Sequence, residues 1–421
     1  MILVLLIFNF LIFSLFEFYF WKFHRTNTAL LYLGGIWVYS AFSSIFFSEW
    51  GDDIYYNKSF EGYLLFYLYY IISIIPLLKV NLSSTRRIVT NEKVIRCISL
   101  ILLYFSIIPL IYNLLELRHI IGDANYFIDM HDARFSTNVN VGPFNVIYSF
   151  FYRPIAWCSG ILPVLLMYNI GKYEKINKYS WGIILAQIVS ILGSTIGSSR
   201  FPLVDAILSY LFAYFLMKNS LSNKANKLCK RVLKSVGIVL VGMLLTITVS
   251  RAVSMGYVDY KKTYAWISLY TGEGILNYNE YLMHQKIQKG YVYLVPFIAD
   301  SQTKRKLKNQ DRNERTSYWY NLTGKPENRF YTFYGQLIDT IGKYKAAITL
   351  ICISVFMCFL LKKRRYYLST LAIYLCYART IYMGFMYSPY TGENGNQYLI
   401  HIVVVIGLIY YFENKYAKKR Y

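Results

Sequence analysis

Four arginines of this 421-residue chain lie inside or at the ends of apolar stretches: Arg153, Arg200, Arg251 and Arg379. Placing an arginine at the middle of a bilayer costs about 2.5–3.5 kcal/mol, so an arginine in such a stretch is expected to serve a function. The guanidinium group is planar and always charged, and it binds phosphate oxygens through parallel hydrogen bonds. If the four side chains converge, they could neutralise an anion at head-group depth, such as a lipid-linked diphosphate.

A simpler explanation stays open for each arginine. The side chain could extend to the membrane surface, or it could pair with a buried acid such as Asp205. The small-residue stretch 193–199 before Arg200 is similarly open to two explanations. Small residues let transmembrane helices pack closely, and they also leave backbone N–H groups accessible to an anion.

The elements that carry these arginines are helices that cross a membrane. Hydrophobic residues make up 56% of the chain and charged residues only 16%, whereas a soluble domain carries about 25% charged residues. The apolar runs are near twenty residues long, which excludes a soluble protein, a disordered chain and an outer-membrane barrel. We therefore predict an all-α polytopic membrane protein with about eleven spans, at 1–20, 29–48, 63–78, 94–113, 146–170, 179–197, 202–217, 235–250, 344–361, 366–386 and 397–412.

The charges of the connecting segments predict the orientation. Alternate segments, beginning with 21–28 and ending with 413–421, hold 23 Lys and Arg against three acids. Because Lys and Arg mark cytoplasmic loops, the N-terminus is predicted outside and the C-terminus inside. The net charge of +23 is then mostly a topology signal, and we expect no nucleic-acid partner.

One predicted external segment is much longer than a simple connection. Residues 251–343 form a loop of 93 residues between spans 8 and 9, with 14 Lys and Arg against 8 acids. Long loops escape the positive-inside rule, so this excess does not change the orientation. The chain therefore divides into an N-terminal bundle (1–250), the large loop with short helices (251–343) and three C-terminal spans (344–421).

Metal and disulfide sites are not predicted. The six cysteines show no paired ligand spacing, and most of them lie in apolar runs, where Cys behaves as a small hydrophobic residue. His119 and His131, together with Asp129 and Asp132, could be read as a metal cluster, although their spacing does not match a known ligand pattern.

Three further sequence features lie at and beyond the middle of the chain. A Gly-Ser-Ser-Arg turn ends at Arg200 between two middle spans. A Gly-rich stretch, Tyr270-Thr-Gly-Glu-Gly-Ile-Leu-Asn-Tyr-Asn279, lies early in the large loop. The loop then closes with Arg329-Phe-Tyr-Thr-Phe-Tyr-Gly335 and Asp339-Thr-Ile-Gly342. Together with the many spans, these features resemble the O-antigen polymerase (Wzy-type) family of oligosaccharide repeat unit polymerases.

The resemblance implies a fold similar to the GT-C class of lipid-dependent glycosyltransferases, in a bacterial plasma (inner) membrane. It implies that a glycan on undecaprenyl diphosphate is transferred to the next lipid-linked repeat unit at the outer face, without cofactor or metal. The expected partners are the lipid-linked donor and acceptor, the bilayer, and a chain-length regulator. The product would be a surface polysaccharide, either O-antigen or capsule.

This chemistry assigns expected roles to residues of the sequence. A base must take the proton of the acceptor hydroxyl, and among Glu273, Glu280, His284, Asp300 and Asp339 we favour Glu273 and His284. Aromatic and amide side chains would hold the sugars: Tyr270, Asn277, Tyr278, Tyr331 and Tyr334. The diphosphate would be bound by Arg153, Arg200, Arg251, Arg329 and Arg379.

Two other functions stay open at this point. An O-antigen ligase would share the spans, the large loop and the arginines. A flippase or exporter of lipid-linked oligosaccharide would also use intramembrane arginine, although transporters more often show inverted repeats and helices broken near the midplane.

Overall fold

The computed structural model describes residues 2–51, 59–79, 88–121, 143–196, 201–254, 259–282, 317, 321, 330–361, 366–390 and 392–418. Helices dominate these residues, as predicted. In chain order they are α1 (Ile2–Phe23), α2 (Thr28–Trp50), α3 (Phe60–Leu78), α4 (Glu92–Ile121), α5 (Pro143–Cys158), α6 (Leu162–Tyr173), α7 (Lys178–Ile196), α8 (Phe201–Met217), α9 (Asn223–Ser254), α10 (Tyr260–Asn277), α11 (Thr332–Ile341), α12 (Lys343–Leu361), α13 (Leu368–Tyr382) and α14 (Gly392–Lys418).

Eight segments of the described chain are long and apolar enough to cross a membrane. They are α1, α2 and α3, the continuous stretch Val146–Tyr173 through α5 and α6, α8 together with the turn that follows it, and parts of α4, α12 and α14. The protein is thus an all-α membrane protein. The remaining three predicted spans fall on α7, α9 and α13. α13 has 15 residues, or about 22 Å of helix, which is shorter than the roughly 30 Å hydrocarbon core.

Short irregular elements join some of the helices. Ser159–Ile161 forms a 3₁₀ turn between α5 and α6, and Tyr278–Leu282 continues α10 as a π-helix. Two short strands, β1 (Ile88–Val89) and β2 (Tyr366–Tyr367), pair in parallel. This pairing places the segment just before α4 beside the segment just before α13.

The described helices group into two compact units. Unit 1 comprises Met1–Asn81, Ala252–Lys363 and Tyr377–Gln397, and unit 2 comprises Leu82–Arg251, Arg364–Cys376 and Tyr398–Tyr421. Each unit therefore draws on more than one of the predicted sequence segments 1–250, 251–343 and 344–421.

Unit 1 has an aromatic core. Trp37 of α2 stacks on Phe13 of α1, with 5.6 Å between ring centroids, and on Tyr334 of α11, with 5.9 Å. Phe66 of α3 meets Trp37 and Tyr334 edge-on. Such pairs contribute about 0.5–1.5 kcal/mol each beyond the area that they bury, so the Tyr- and Phe-rich composition builds the packing here.

Small residues bring α2 and α10 of unit 1 into close contact. A side chain at Gly272 would meet the backbone of Ser43 and Ser44, with the nearest atom, Ser44 N, 2.5 Å from the Cβ position. The Ser40 hydroxyl donates to the carbonyl of Thr271 at 2.5 Å. Small residues at such an interface let two backbones approach, and they fix the position of the residue that follows, Glu273.

Unit 2 is held by polar contacts between its helices as well as by apolar packing. Asn113 of α4 donates to the carbonyl of Val189 on α7 at 3.1 Å. The Glu413 carboxylate of α14 is fully buried and accepts hydrogen bonds from Leu368 N and from the backbone and hydroxyl of Ser369. Glu413 therefore caps the N-terminus of α13, where unsatisfied backbone N–H groups favour an anion.

Candidate functional site

The two loop stretches quoted above pack against each other in unit 1. The Asn277 side chain donates to the carbonyl of Phe330 at 2.9 Å. The ring of Tyr270 lies 5.4 Å from the ring of Phe330. The two stretches lie some fifty positions apart along the chain, and a hydrogen bond and a ring contact join them. Their resemblance to the polymerase family did not predict this contact.

Glu273 lies between two glycines at the centre of this packing. It has no solvent-exposed surface in the described structure. Gly272 rests on α2, and a side chain at Gly274 would collide with the carbonyl oxygen of Phe385 and lie 3.2 Å from Thr332 Cγ2. The two glycines that flank Glu273 therefore allow other parts of the chain to approach the α10 backbone closely.

The start of α11 is held in a strained conformation at this contact. Thr332 has φ of 61°, a region that costs a β-branched residue about 1–3 kcal/mol. Its N–H donates to Met386 O at 3.0 Å, and its hydroxyl accepts from Gly335 N at 3.2 Å. The N–H of Phe333 donates to Gly384 O at 2.7 Å. Strain of this kind persists only where the surrounding contacts fix it, as they do here.

Arg379 lies near the end of α13, just before the turn whose carbonyl groups accept hydrogen bonds from the start of α11. Its side chain is only 5% exposed, and its guanidinium lies 5.7 Å from the ring centre of Tyr390. The turn 383–390 after α13 is fixed by two further bonds. Ser388 N donates to Gln336 Oε1 at 2.7 Å, and the Asn396 side chain donates to Tyr390 O at 2.8 Å.

We use the name polar cluster for the buried residues Glu273, Asn277, Thr332, Gln336, Arg379 and Ser388. They come from α10, α11, α13 and the turn after α13, and the contacts above join these elements. A buried carboxylate and a buried guanidinium, both enclosed by protein, are the groups that proton transfer and charge stabilisation in a dry site require.

An aromatic row borders the polar cluster. Phe330 lies between Tyr270 and Tyr387, and the rings of Phe330 and Tyr387 are nearly parallel with 5.9 Å between centroids. All three residues are partly exposed, as is Tyr331. Partly exposed aromatic faces can accept a sugar ring, whereas fully enclosed ones cannot.

Tyr278 and Tyr334, which the sequence assigned to sugar binding, are completely buried. Tyr278 meets Phe66 edge-on at 4.9 Å, and Tyr334 stacks on Trp37. Burial raises the pKa of both phenols well above the usual range. These two residues pack in the aromatic core of unit 1.

A π-helical turn follows the polar cluster and holds another predicted acid. π-Turns inside α-helices occur frequently at functional sites. Asn279, on this turn, donates to Ser59 O at 3.1 Å. Glu280 on the same turn and Asp339 at the end of α11 are both partly exposed, so they are more accessible than Glu273.

Of the five arginines predicted to bind the diphosphate, the structure describes the side chains of two, so their convergence stays a prediction. Arg153 is exposed on α5 in unit 2, and Arg379 is buried in unit 1. Arg251 lies in α9, and its side chain is outside the described structure. Arg200, Arg329, His284 and Asp300 lie outside the described residues altogether.

Metal ligands do not cluster among the residues that the structure describes: it holds no group of three or more His, Cys, Asp or Glu side chains placed to bind an ion. Of the alternative metal cluster, His119 is described only as backbone within α4, and Asp129, His131 and Asp132 lie outside the described residues.

Several residues of the site were not expected from the sequence. Tyr387, Ser388 and Tyr390 lie in the short connection 387–396 between two predicted spans, and Gln336 lies between the two quoted parts of the segment that closes the large loop. The signal that could have drawn attention to this connection is the Ser-Pro-Tyr-Thr-Gly run at 388–392, which is typical of a structured turn.

No protein-family model, curated protein or solved structure matches the chain. The class that the fold and the polar cluster define is an all-α membrane protein with a buried acid and a buried arginine in one of its two units.

Proposed function

We propose that this protein is a membrane glycosyltransferase that joins oligosaccharide repeat units carried on undecaprenyl diphosphate into a surface polysaccharide. The observation that carries the proposal is the complete burial of Glu273 at a place where three separate parts of the chain meet. These are the Gly-rich stretch on α10, the start of α11, and the turn that follows Arg379. The first two of these parts are the stretches that resemble the polymerase family.

In the proposed reaction, the acceptor sugar hydroxyl attacks the anomeric carbon of the donor's reducing-end sugar. A new C–O bond forms, and the bond between that carbon and the diphosphate breaks. The electron pair leaves with undecaprenyl diphosphate, and the hydroxyl proton passes to a base. The leaving group gains negative charge, which a guanidinium stabilises best when it is fixed and shielded from water.

Arg379 fits the role of stabilising the leaving group. Its burial removes the competition of water, and the guanidinium lies over the Tyr390 ring, 5.7 Å from the ring centre. Removing one such donor from a charge-stabilising site typically costs about 10²–10³ in rate. Arg200, Arg251 and Arg329 would add further charge to the diphosphate in this proposal.

Glu273 fits the role of the base. A base has to come within hydrogen-bond reach of the proton that it removes. Since Glu273 is fully enclosed, the proposal requires the turn 383–390 to move away from Gly274 when the acceptor enters. The same enclosure would exclude water, which otherwise would hydrolyse the donor.

The length and location of the glycan in cells that lack the gene distinguish the proposed polymerase from a flippase and from a ligase. Deleting the gene should leave single-repeat glycan at the surface if the protein is the polymerase. Loss of all surface glycan, with lipid-linked units retained inside, would indicate a flippase. Unattached polymer of normal length on its lipid carrier would indicate a ligase. Either of the last two results contradicts the proposal.

A further inference from the structure

Unit 2 contains an apolar cavity that the proposed function does not use. It has a volume of about 410 Å³ and lies between α7, α8 and α9. The walls come from residues such as Ile184, Ile191, Ala206, Val236 and Leu240, and Leu166 of α6 also contributes. Ligand pockets in proteins have volumes of about 300–1,000 Å³, so the cavity is large enough to hold part of a small molecule.

The cavity is elongated along the helices and opens at an apolar rim. On α9 its lining runs from Val232 to Met243, which is about 16 Å at the rise of an α-helix. Ile188, Val236 and Val239 on the rim are 37%, 39% and 60% exposed. An empty apolar cavity would forfeit the dispersion contacts of its walls. In a membrane protein, hydrocarbon is the medium that can restore these contacts.

Near Leu240 and Met243, α9 packs against α7 and α8 and closes one end of the cavity. Leu240 belongs to a small core with Ile191, Leu203 and Ala206, and Met243 packs against this core. Toward the beginning of α9, the cavity is lined by Val232, Leu233 and Ser235. The space is therefore closed at one end by apolar packing and approaches the basic part of the same helix at the other.

That basic part carries exposed cations and no acid. Lys227, Lys230, Arg231 and Lys234 are all exposed, and the first turns of α9 hold no Asp or Glu. Arg231 and Lys234 directly adjoin the lining residues Val232 and Ser235. Basic residues beside a gap between transmembrane helices are the typical recognition site of an anionic lipid head group.

We propose that this cavity binds an anionic phospholipid, with one acyl chain between α7, α8 and α9 and the head-group phosphate on Arg231 and Lys234. The length of the cavity fits a single acyl chain, whereas a polyprenyl chain is far longer. The inference is independent of the glycosyltransferase proposal, since it rests only on unit 2.

Two glycines of α9 supply a matched test of the cavity. An added Cβ meets no atom within 4 Å at either Gly237 or Gly242, and only Gly237 lines the cavity. The full chain in detergent would be labelled with phosphatidylglycerol that carries a photoactivatable diazirine in its acyl chain, and the labelled peptides would be mapped. Gly237→Phe should reduce labelling of α7 and α9 at least tenfold, and Gly242→Phe should not.

Both substitutions place a phenylalanine at a glycine of α9. A difference in labelling between the two variants therefore reports lipid in the cavity and not misfolding of the helix. Equal thermal unfolding of the two variants would show that both fold. Equal labelling of the two variants, or labelling spread over all apolar helices, would overturn the inference.

The head-group contact is tested by charge. The double substitution R231Q/K234Q should weaken phosphatidylglycerol binding about fivefold per charge removed. The control K261Q/K262Q removes two exposed charges from α10 and should leave binding unchanged. Stronger competition by phosphatidylcholine or by undecaprenyl phosphate than by phosphatidylglycerol would contradict an anionic phospholipid as the occupant.

Discussion

Both units of the molecule bury a glutamate completely, and the surroundings of the two carboxylates differ. Glu413 of unit 2 accepts hydrogen bonds from Leu368 N, Ser369 N and the Ser369 hydroxyl, which together cap α13. Glu273 of unit 1 lies between glycines, beside a strained threonine and one turn before a π-helix.

The comparison shows that burial of a charge does not by itself indicate function. The hydrogen bonds of Glu413 stabilise the N-terminus of α13, and this stabilisation explains why a glutamate is buried there. The contacts around Glu273 instead bring three distant parts of the chain together with backbone strain, which is typical of functional sites. Substitutions at the two positions should therefore affect different properties.

The largest effect is expected from Glu273→Gln. The substitution keeps the shape of the side chain and removes the base, so chain extension should fall about 10²–10⁴-fold. Glycan ladders formed by purified variant and wild-type protein from the same lipid-linked repeat unit would measure the loss. Normal ladders from the Gln variant would remove Glu273 from the reaction.

Arg379→Ala should reduce chain extension about 10²–10³-fold, because the leaving diphosphate loses its buried guanidinium. Arg379→Lys should also fail, since an ammonium group cannot reproduce the planar contact with Tyr390 and phosphate. The exposed Lys261→Ala is the matched control and should keep full activity. Activity of Arg379→Lys equal to the wild type would contradict a role of the planar guanidinium.

Glu413→Gln should lower the free energy of unfolding by about 1–3 kcal/mol, because the amide cannot accept from all three donors of the α13 terminus. Thermal unfolding in detergent measures this change. Activity per folded molecule should stay near the wild-type value. A loss of activity at unchanged stability would show that the contrast between the two glutamates is wrong.

The smallest effect is expected at Thr332. Asn tolerates positive φ better than a β-branched residue and can still accept from Gly335 N. Thr332→Asn should therefore raise the free energy of unfolding by about 1 kcal/mol. A lower unfolding temperature for this variant would show that the backbone at residue 332 is not strained.

The long apolar runs were enough to predict most of the helices, since a run of about twenty apolar residues has few other stable states in a bilayer. They did not locate the end of α13. Its apolar composition continues through Met383-Gly-Phe-Met386, but the backbone turns there, because Gly384 and Met386 accept hydrogen bonds from the start of α11. Such contacts depend on residues fifty positions away.

The sequence could suggest single stretches of the candidate site but not the contacts between them, because these contacts join distant parts of the chain. Glu273 and Asn277 lie on one short stretch, and the buried position of Arg379 agrees with its place within a predicted span. In a chain with 44 tyrosines, however, composition does not separate a sugar platform from a core residue. Only the packing shows that Tyr270 is partly exposed while Tyr278 and Tyr334 lie in the aromatic core.

The most direct measurement is reconstitution of the purified full chain in liposomes with one defined repeat unit linked to undecaprenyl diphosphate. The proposed function predicts a ladder of products that differ by whole repeat units, with one undecaprenyl diphosphate released for each link. It also predicts that Glu273→Gln forms no ladder while Glu413→Gln does. Repeat units that cross the bilayer unjoined, or ladders from Glu273→Gln equal to those of the wild type, would contradict the account.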